Sequence, residues 1–309
     1  MSAYAALFSG QGSQYPGMGT ELAEKFAEAR RVYECAGDIL GIDVLALSAN
    51  ASEEDLARTA VAQPVIFTLS VAAYTTACTR FAKPNAVAGH SLGEFAALYA
   101  AGAYSLEDGF RIIKARAKAM EEAATNGTPG AMFAILGSDI DTVNQVCDET
   151  NGFVVPVNMN LPSQTVISGE TAAAEAAAEV LIKNGAKAIK LGVGSAFHTK
   201  MMQQASDSFR SEIASISFIP TTTPFYSNLT GNKLEIADYP EYFAKHMVSP
   251  VRFVEQMEAL ARDGIEVCVE YGPKKTAATL AKKNNRAFKV ANVEDEKSLL
   301  ALEALLPLK

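Results

Sequence analysis

Short apolar runs alternate with helical stretches along most of the 309 residues, which predicts an α/β protein. Its main sheet is expected to be mostly parallel and covered by helices on both faces. Two further observations complete the prediction. The apolar content of 49% is ample for one large core with a smaller body attached. Residues 125 to 194 break the alternation and follow the order β-α-β-β-α-β, the split-βαβ or ferredoxin-like unit. The expected division is residues 1-125 and 195-309 for the larger body and 126-194 for the smaller, with a cleft between them as a natural ligand site.

The first strand is Tyr4–Phe8, and the glycine-rich loop FSGQGSQYPGMG follows at residues 8 to 19. Glu21–Cys35 reads as a helix. From Thr59 to Thr79 there is no charge, and the segment imitates a membrane span. Pro64 suits the first turn of a helix. That leaves only about 15 apolar residues, diluted with Thr, Ser and Ala, too few to cross a bilayer. A buried helix over Pro64–Phe81 is expected instead. Ala86–His90 is the next strand, and Leu92–Ala101 and Leu106–Ala123 are the next helices. NGTPG at 126 to 130 then interrupts the chain. The small unit follows as strand Ala131–Leu136, helix Ile140–Thr150, strands Val154–Asn158 and Gln164–Ser168, helix Ala172–Asn184 and strand Ala188–Leu191. Beyond it come helix Lys200–Ala214, strand Pro224–Ser227, helix Val251–Asp263, strands Val267–Tyr271 and Ala287–Val290, and helix Glu296–Leu305.

The charged residues are interspersed, and 27 basic against 35 acidic side chains give a net charge of −8. This argues against a general binder of nucleic acid or of anionic membranes, while leaving room for an anionic ligand on a local basic patch. Cys35, Cys78, Cys147 and Cys268 lie far apart and form no Cys-x-x-Cys pair, and there are three histidines. No metal site or cofactor is expected, and the cysteines read as four buried reduced thiols. The start, MSAYAALFSG, has no basic segment and too short an apolar core for a signal peptide. A cytoplasmic location is the expectation.

Gly89-His90-Ser91-Leu92-Gly93 lies between an expected strand and an expected helix. An ordinary glycine turn with a capping serine has the same pattern, but strand before and helix after favour a nucleophile elbow. Such a turn needs small neighbours and lifts the Ser91 oxygen into a cleft. The N–H of Leu92 would open the helix and face a developing oxyanion. A serine hydroxyl needs a base, and the choice lies among His90, His198 and His246. His90 adjoins the serine on a tight turn, where neighbouring side chains diverge, so it packs or orients the elbow. His246, in YFAKHMVSP, reads as a solvated histidine late in a polar helix. His198 falls between a strand and a helix, at the sheet edge where sites collect, and is the base by elimination.

Gly10-x-Gly12 in the first loop lacks the third glycine of a dinucleotide fingerprint, and Met18 stands where a P-loop needs lysine. The glycines instead let the Gln11 N–H approach a reacting atom as a second oxyanion donor. Arg116 has Ile112, Ile113, Ala119 and Met120 at −4, −3, +3 and +4, which centres it on an apolar helix face. A guanidinium there needs an anion. Either a structural Asp or Glu or a substrate carboxylate would serve, since arginine grips carboxylates with two parallel hydrogen bonds.

Together these stretches resemble the malonyl-CoA:acyl carrier protein transacylase family, over about residues 4 to 285. The resemblance rests on Gly10-Gln11-Gly12-Ser13-Gln14, Gln63-Pro64, Gly89-His90-Ser91-Leu92-Gly93-Glu94, Arg116, Asn158-x-Asn160-x-Pro162-x-Gln164, Ala196-Phe197-His198, Ser227-Asn228, Pro250-Val251-Arg252 and Glu270-x-Gly272-Pro273. It implies an α/β-hydrolase-like large subdomain with an inserted ferredoxin-like one. It also implies Ser91 as nucleophile, His198 as base, and Gln11 and Leu92 as oxyanion donors. A main-chain carbonyl, placed at Arg252, would orient the histidine, and Arg116 would hold the acyl carboxylate. Gln63, Phe197, Asn158 and His90 are implied around the substrate, with bulky Phe197 crowding any methyl branch on the acyl group. The implied reaction moves malonyl from coenzyme A to an acyl carrier protein, in fatty-acid or polyketide synthesis. A carrier-protein thioester hydrolase and a non-catalytic docking module are the rivals. GPKKTAATL departs from the commoner GPGKVLTGL, and GHSLGEFAAL with SAFHT leans toward polyketide-type enzymes. Lys274, Lys275, Lys282, Lys283 and Arg286 form either a solvated cluster or a rim for carrier or coenzyme phosphates.

Overall fold

The computed structural model describes residues 3–309. Its strands are β1 (Tyr4–Phe8), β2 (Ala86–Gly89), β3 (Gly130–Leu136), β4 (Val154–Leu161), β5 (Gln164–Glu170), β6 (Lys187–Lys190), β7 (Phe225–Ser227), β8 (Asn232–Lys233), β9 (Val267–Tyr271) and β10 (Lys289–Val293). They form two sheets, as an α/β-hydrolase-like body with an inserted ferredoxin-like unit requires. The larger runs β10-β9-β1-β2-β7-β8 and the smaller β4-β5-β3-β6. All pairings in the larger sheet are parallel except β7 with β8. The smaller is antiparallel throughout. β1 and β2 are buried at every residue, which is why they read as unbroken apolar runs rather than alternating ones.

Register explains where the functional loops gather. Phe8 lies opposite both Gly89 and Tyr271, and Ala88 opposite Tyr226. The strands β1, β2, β7 and β9 therefore end side by side, and the loops after them crowd one edge. Glycine makes two close approaches possible there. A Cβ on Gly93 would sit 2.1 Å from the Phe8 carbonyl oxygen, and one on Gly10 would sit 2.8 Å from that of His90.

The two bodies are joined by main-chain bonds as well as by the chain. Val251 donates to the Val157 carbonyl at 2.6 Å and accepts from the Met159 N–H at 3.0 Å. That extends β4 onto the large body and prolongs the strand to Leu161, beyond the expected end at Asn158.

Several expectations change. The helix expected over Glu21–Cys35 is two, Thr20–Lys25 and Ala27–Leu40, because Phe26 is extended between them and Gly41 ends the second in a left-handed turn. The Pro64 helix begins earlier, at Thr59, and runs to Arg80. Proline there removes the bond to the Ala60 carbonyl, which its ring also crowds. This helix is long and apolar enough to cross a membrane, but most of it is buried inside the protein, against Ala27–Leu40 and Leu106–Asn126. The last strand is Lys289–Val293 rather than Ala287–Val290, in register with β9. Helices Val44–Asn50, Glu53–Ala57 and Thr276–Asn284 were not expected. The first two are too short to show apolar periodicity, yet Asp43 and Ser52 cap them. Of the four thiols, Cys147 and Cys268 are buried and Cys35 and Cys78 only half-buried.

Gly93→Ala is expected to lower unfolding free energy by about 1–3 kcal/mol, the range for forced overpacking, because β1 backbone cannot withdraw from the new methyl. Urea denaturation followed by circular dichroism checks this, and an unchanged midpoint would contradict the packing argument.

Candidate active site

Ser91 occupies the turn between β2 and the Gly93–Ala100 helix with φ 50°. A non-glycine residue in this region stores of order 1–3 kcal/mol, so neighbouring bonds must hold it. Asn228, just past β7, does so. Its Oδ1 accepts from the Ser91 N–H at 2.8 Å, and its Nδ2 donates to the Gly89 carbonyl at 2.7 Å. The turn is thereby clamped to the next strand.

The Ser91 hydroxyl donates to His198 Nε2 at 2.7 Å. His198 is itself left-handed, at φ 62°, on the segment that returns from the small body. Its Nδ1–H donates to the carbonyls of Ser249 at 3.0 Å and His246 at 3.2 Å. Two carbonyl acceptors require a proton on Nδ1 and leave Nε2 as the basic nitrogen. Burial, and next the Arg116 charge, lower the His198 pKa to about 3. The imidazole is therefore neutral near pH 7, with the Nε2 lone pair facing the Ser91 hydroxyl.

The Arg252 carbonyl does not orient this histidine. It accepts from Gln256 N–H at 3.0 Å, opening the Phe253–Arg262 helix. The Ser249 and His246 carbonyls, at the end of the preceding helix, stand where Arg252 was placed. His246 is not solvated either: it is 1% exposed, with Nε2 3.2 Å from Glu94 Oε2.

A cavity of about 230 Å³ opens over the pair, lined among others by Gln11, His90, Arg116, Asn158 and Phe197. The N–H groups of Gln11 and Leu92 donate to no acceptor among the described residues. The Gln11 side chain is held by Thr59 Oγ1 at 3.2 Å. Arg116 is 1% exposed, its Nε has no partner among the described residues, and its guanidinium lies 5.0 Å from the Phe95 ring centre. Burial lowers its pKa to about 9, opposed by the Glu94 charge, so it remains a cation at neutral pH. The structural ion pair left open by the sequence is absent among the described residues.

The other expected residues divide. Asn158 faces the cavity with a buried, unpartnered Oδ1. Phe197 walls it, and its carbonyl accepts from Ser168 Oγ at 3.0 Å. His90 donates from Nε2 to Asn160 Oδ1 at 2.7 Å and packs on Phe253, so it braces the turn. Gln63 is fully buried behind Met120, with Nε2 3.1 Å from its sulfur, and does not line the cavity. Lys274, Lys275 and Lys283 share a separate cleft with Gln164. Lys282 instead donates to the carbonyls of Arg286 and Phe288.

Residues 6–302 match the acyl transferase domain family. The malonyl CoA-acyl carrier protein transacylase of Bacillus subtilis strain 168 is 38% identical over 311 aligned residues, 99% of this chain and 98% of that protein. The chain belongs to the malonyl-CoA:acyl carrier protein transacylase family. The transacylase of Haemophilus influenzae is 34% identical, with 99% of this chain and 100% of its own length aligned. Among solved structures, the transacylase of Coxiella burnetii superposes with a TM-score of 0.94 at 32% identity, covering 99% of this chain and 98% of its own. A malonyl-transacylase in complex with a type II polyketide synthase acyl carrier protein gives 0.93 at 33%, covering 98% of this chain and all of its own.

Within this transacylase fold, sequence reasoning missed Asn228, Ser249 and His246. Ser227-Asn228 stood among the family strings, but nothing in one dimension shows that β7 neighbours β2. Carbonyl acceptors have no residue signature at all.

Asn228→Ala leaves the Ser91 N–H and the Gly89 carbonyl unpaired and is expected to cost about 2–4 kcal/mol of stability, read by denaturant unfolding. For His198, a pKa lowered to about 3 means that its Nε2 lone pair is not lost to protonation near 6.5. The acylation rate of the free enzyme should thus show no limb at the ordinary histidine value near 6.5; a limb there would contradict this geometry.

Proposed function

We propose that this chain transfers malonyl groups from malonyl-CoA to the phosphopantetheine thiol of an acyl carrier protein through a malonyl-Ser91 ester. The observation that carries the reading is an unpaired, buried guanidinium at Arg116 in the same cavity as the Ser91–His198 pair. A thioester hydrolase has no need of a buried cation beside its nucleophile, and a docking module has no need of the pair.

The steps follow from the residues. His198 Nε2 takes the Ser91 hydroxyl proton as Oγ bonds to the thioester carbonyl carbon. The N–H groups of Gln11 and Leu92 face the resulting oxyanion. As the C–S bond breaks, His198 returns the proton to the coenzyme A sulfur. The carrier thiol then gives its proton to His198 and attacks the ester, and Ser91 leaves with that proton. Arg116 holds the free carboxylate by two parallel bonds, and the Asn158 side-chain amide lies at the same wall. Phe197 leaves little room for a branch at the malonyl methylene. The residues do all the chemistry without a cofactor, and we place the enzyme in the cytoplasm.

Two substitutions test the reading. Ser91→Ala mixed with malonyl-CoA should gain no malonyl mass, and a malonylated variant by intact mass spectrometry would end the nucleophile assignment. Arg116→Ala should lose about 3–4 kcal/mol in malonyl kcat/KM, as when one partner of a buried charged pair is removed. It should also accept uncharged acyl groups, and an unchanged malonyl preference would count against the carboxylate clamp.

A further inference from the structure

Glu94 is fully buried in the first turn of the Gly93–Ala100 helix, directly behind the elbow. Three donors converge on its carboxylate. The Asn228 main-chain N–H donates to Oε1. The Tyr242 hydroxyl donates to Oε2 at 2.9 Å, while standing 2.7 Å from Ser227 Oγ. His246 Nε2 lies 3.2 Å from Oε2 and 3.4 Å from Asn228 Oδ1. In its ionised form the carboxylate only accepts, and so satisfies all three at once. Burial outweighs the donors and the Arg116 charge and raises the Glu94 pKa to about 8, so the ionised form that accepts from all three fills in as pH rises past neutrality.

Two of the three partners lead to the reacting atoms. Asn228 holds Ser91 N–H and the Gly89 carbonyl. The His246 carbonyl accepts from His198 Nδ1–H. One carboxylate thus stands one residue away from both the nucleophile and the base. We propose that Glu94 is a positioning residue that keeps the Ser91 oxygen and the His198 ring in register, through Asn228 on one side and His246 on the other. The proposal rests on the reading of Ser91 and His198 as nucleophile and base.

A glutamine has the same shape but cannot accept from all three donors. Its amide nitrogen would confront either the Asn228 N–H or the Tyr242 and His246 donors, so one arm of the cluster must shift. A shift in either arm lengthens the Ser91–His198 bond, now 2.7 Å. The substitution has a second, opposite effect. Glu94 is the carboxylate whose charge acts on Arg116, so neutralising it leaves the guanidinium less opposed. Capture of an anionic acyl group is then not weakened while its transfer slows, a division that general loosening of the fold does not produce.

The test is single-turnover acylation of the full-length protein with malonyl-CoA at about pH 8.5, where Glu94 is mostly ionised, quenched and read as malonyl-Ser91 by intact mass, with the active fraction counted at the plateau. For Glu94→Gln, the saturating rate per active site is expected to fall about tenfold to a hundredfold. The half-saturating malonyl-CoA concentration should be unchanged or lower. An unchanged saturating rate, or a loss confined to the plateau, overturns the proposal. Should Glu94→Gln fail to fold, Tyr242→Phe removes one donor and only one hydroxyl. A saturating rate several-fold lower at unchanged half-saturation supports the proposal, and a wild-type rate overturns it. Absence of malonyl-Ser91 in the wild-type protein would instead sink the nucleophile reading, so the two failures are distinguishable.

Discussion

The site depends on one backbone constraint: Ser91 must remain left-handed, at φ 50°, at the end of a fully buried strand. That conformation is uphill for a residue with a Cβ. It persists because Gly93 lets the new helix start against the Phe8 carbonyl and because Asn228 grips the turn on both sides of His90. The parallel register sets Asn228 within reach, since β7 ends beside β2. The sharp turn, the exposed hydroxyl and the free Leu92 N–H are then one geometric event.

Burial decides the electrostatics. His198 and His246 are both driven toward the neutral form, first by loss of water and then by neighbouring charge. The carboxylate of Glu94 and the guanidinium of Arg116 are each buried as well, yet they do not form a contact pair; each moderates the other's shift from a distance. A direct pair would have taken two of the five guanidinium N–H donors and offset the charge. Their separation leaves a cation without a contact partner at the cavity wall.

The small body contributes walls and alignment. Asn158 comes from β4, which is hydrogen-bonded to Val251 of the large body, and Phe197 is tied by its carbonyl to Ser168 of β5. His198 follows Phe197 directly. The same short return segment therefore places the aromatic wall and the His198 imidazole, and their spacing relative to Ser91 is fixed by how the two sheets meet.

The amino-acid sequence alone determined the chemistry-bearing types and their local settings. Glycines around Ser91 spelled a turn between strand and helix, Arg116 stood at the centre of an apolar face, and the order of short elements separated a parallel sheet from an antiparallel insert. These are signals carried within a few residues, where steric and periodic rules act directly. The family strings then placed Gln11, Phe197 and Asn158 near the same serine. Sequence misplaced the Arg252 carbonyl and read His246 as solvated, because every peptide has a carbonyl and a short polar helix hides which face it buries. Only the tertiary structure decided which main-chain oxygens meet His198, that Asn228 clamps the turn, that Gln63 stands behind Met120, and that Glu94 faces three donors. The physical reason is common to all four: hydrogen bonds between segments separated by tens to hundreds of residues depend on sheet order and register, which no local pattern encodes.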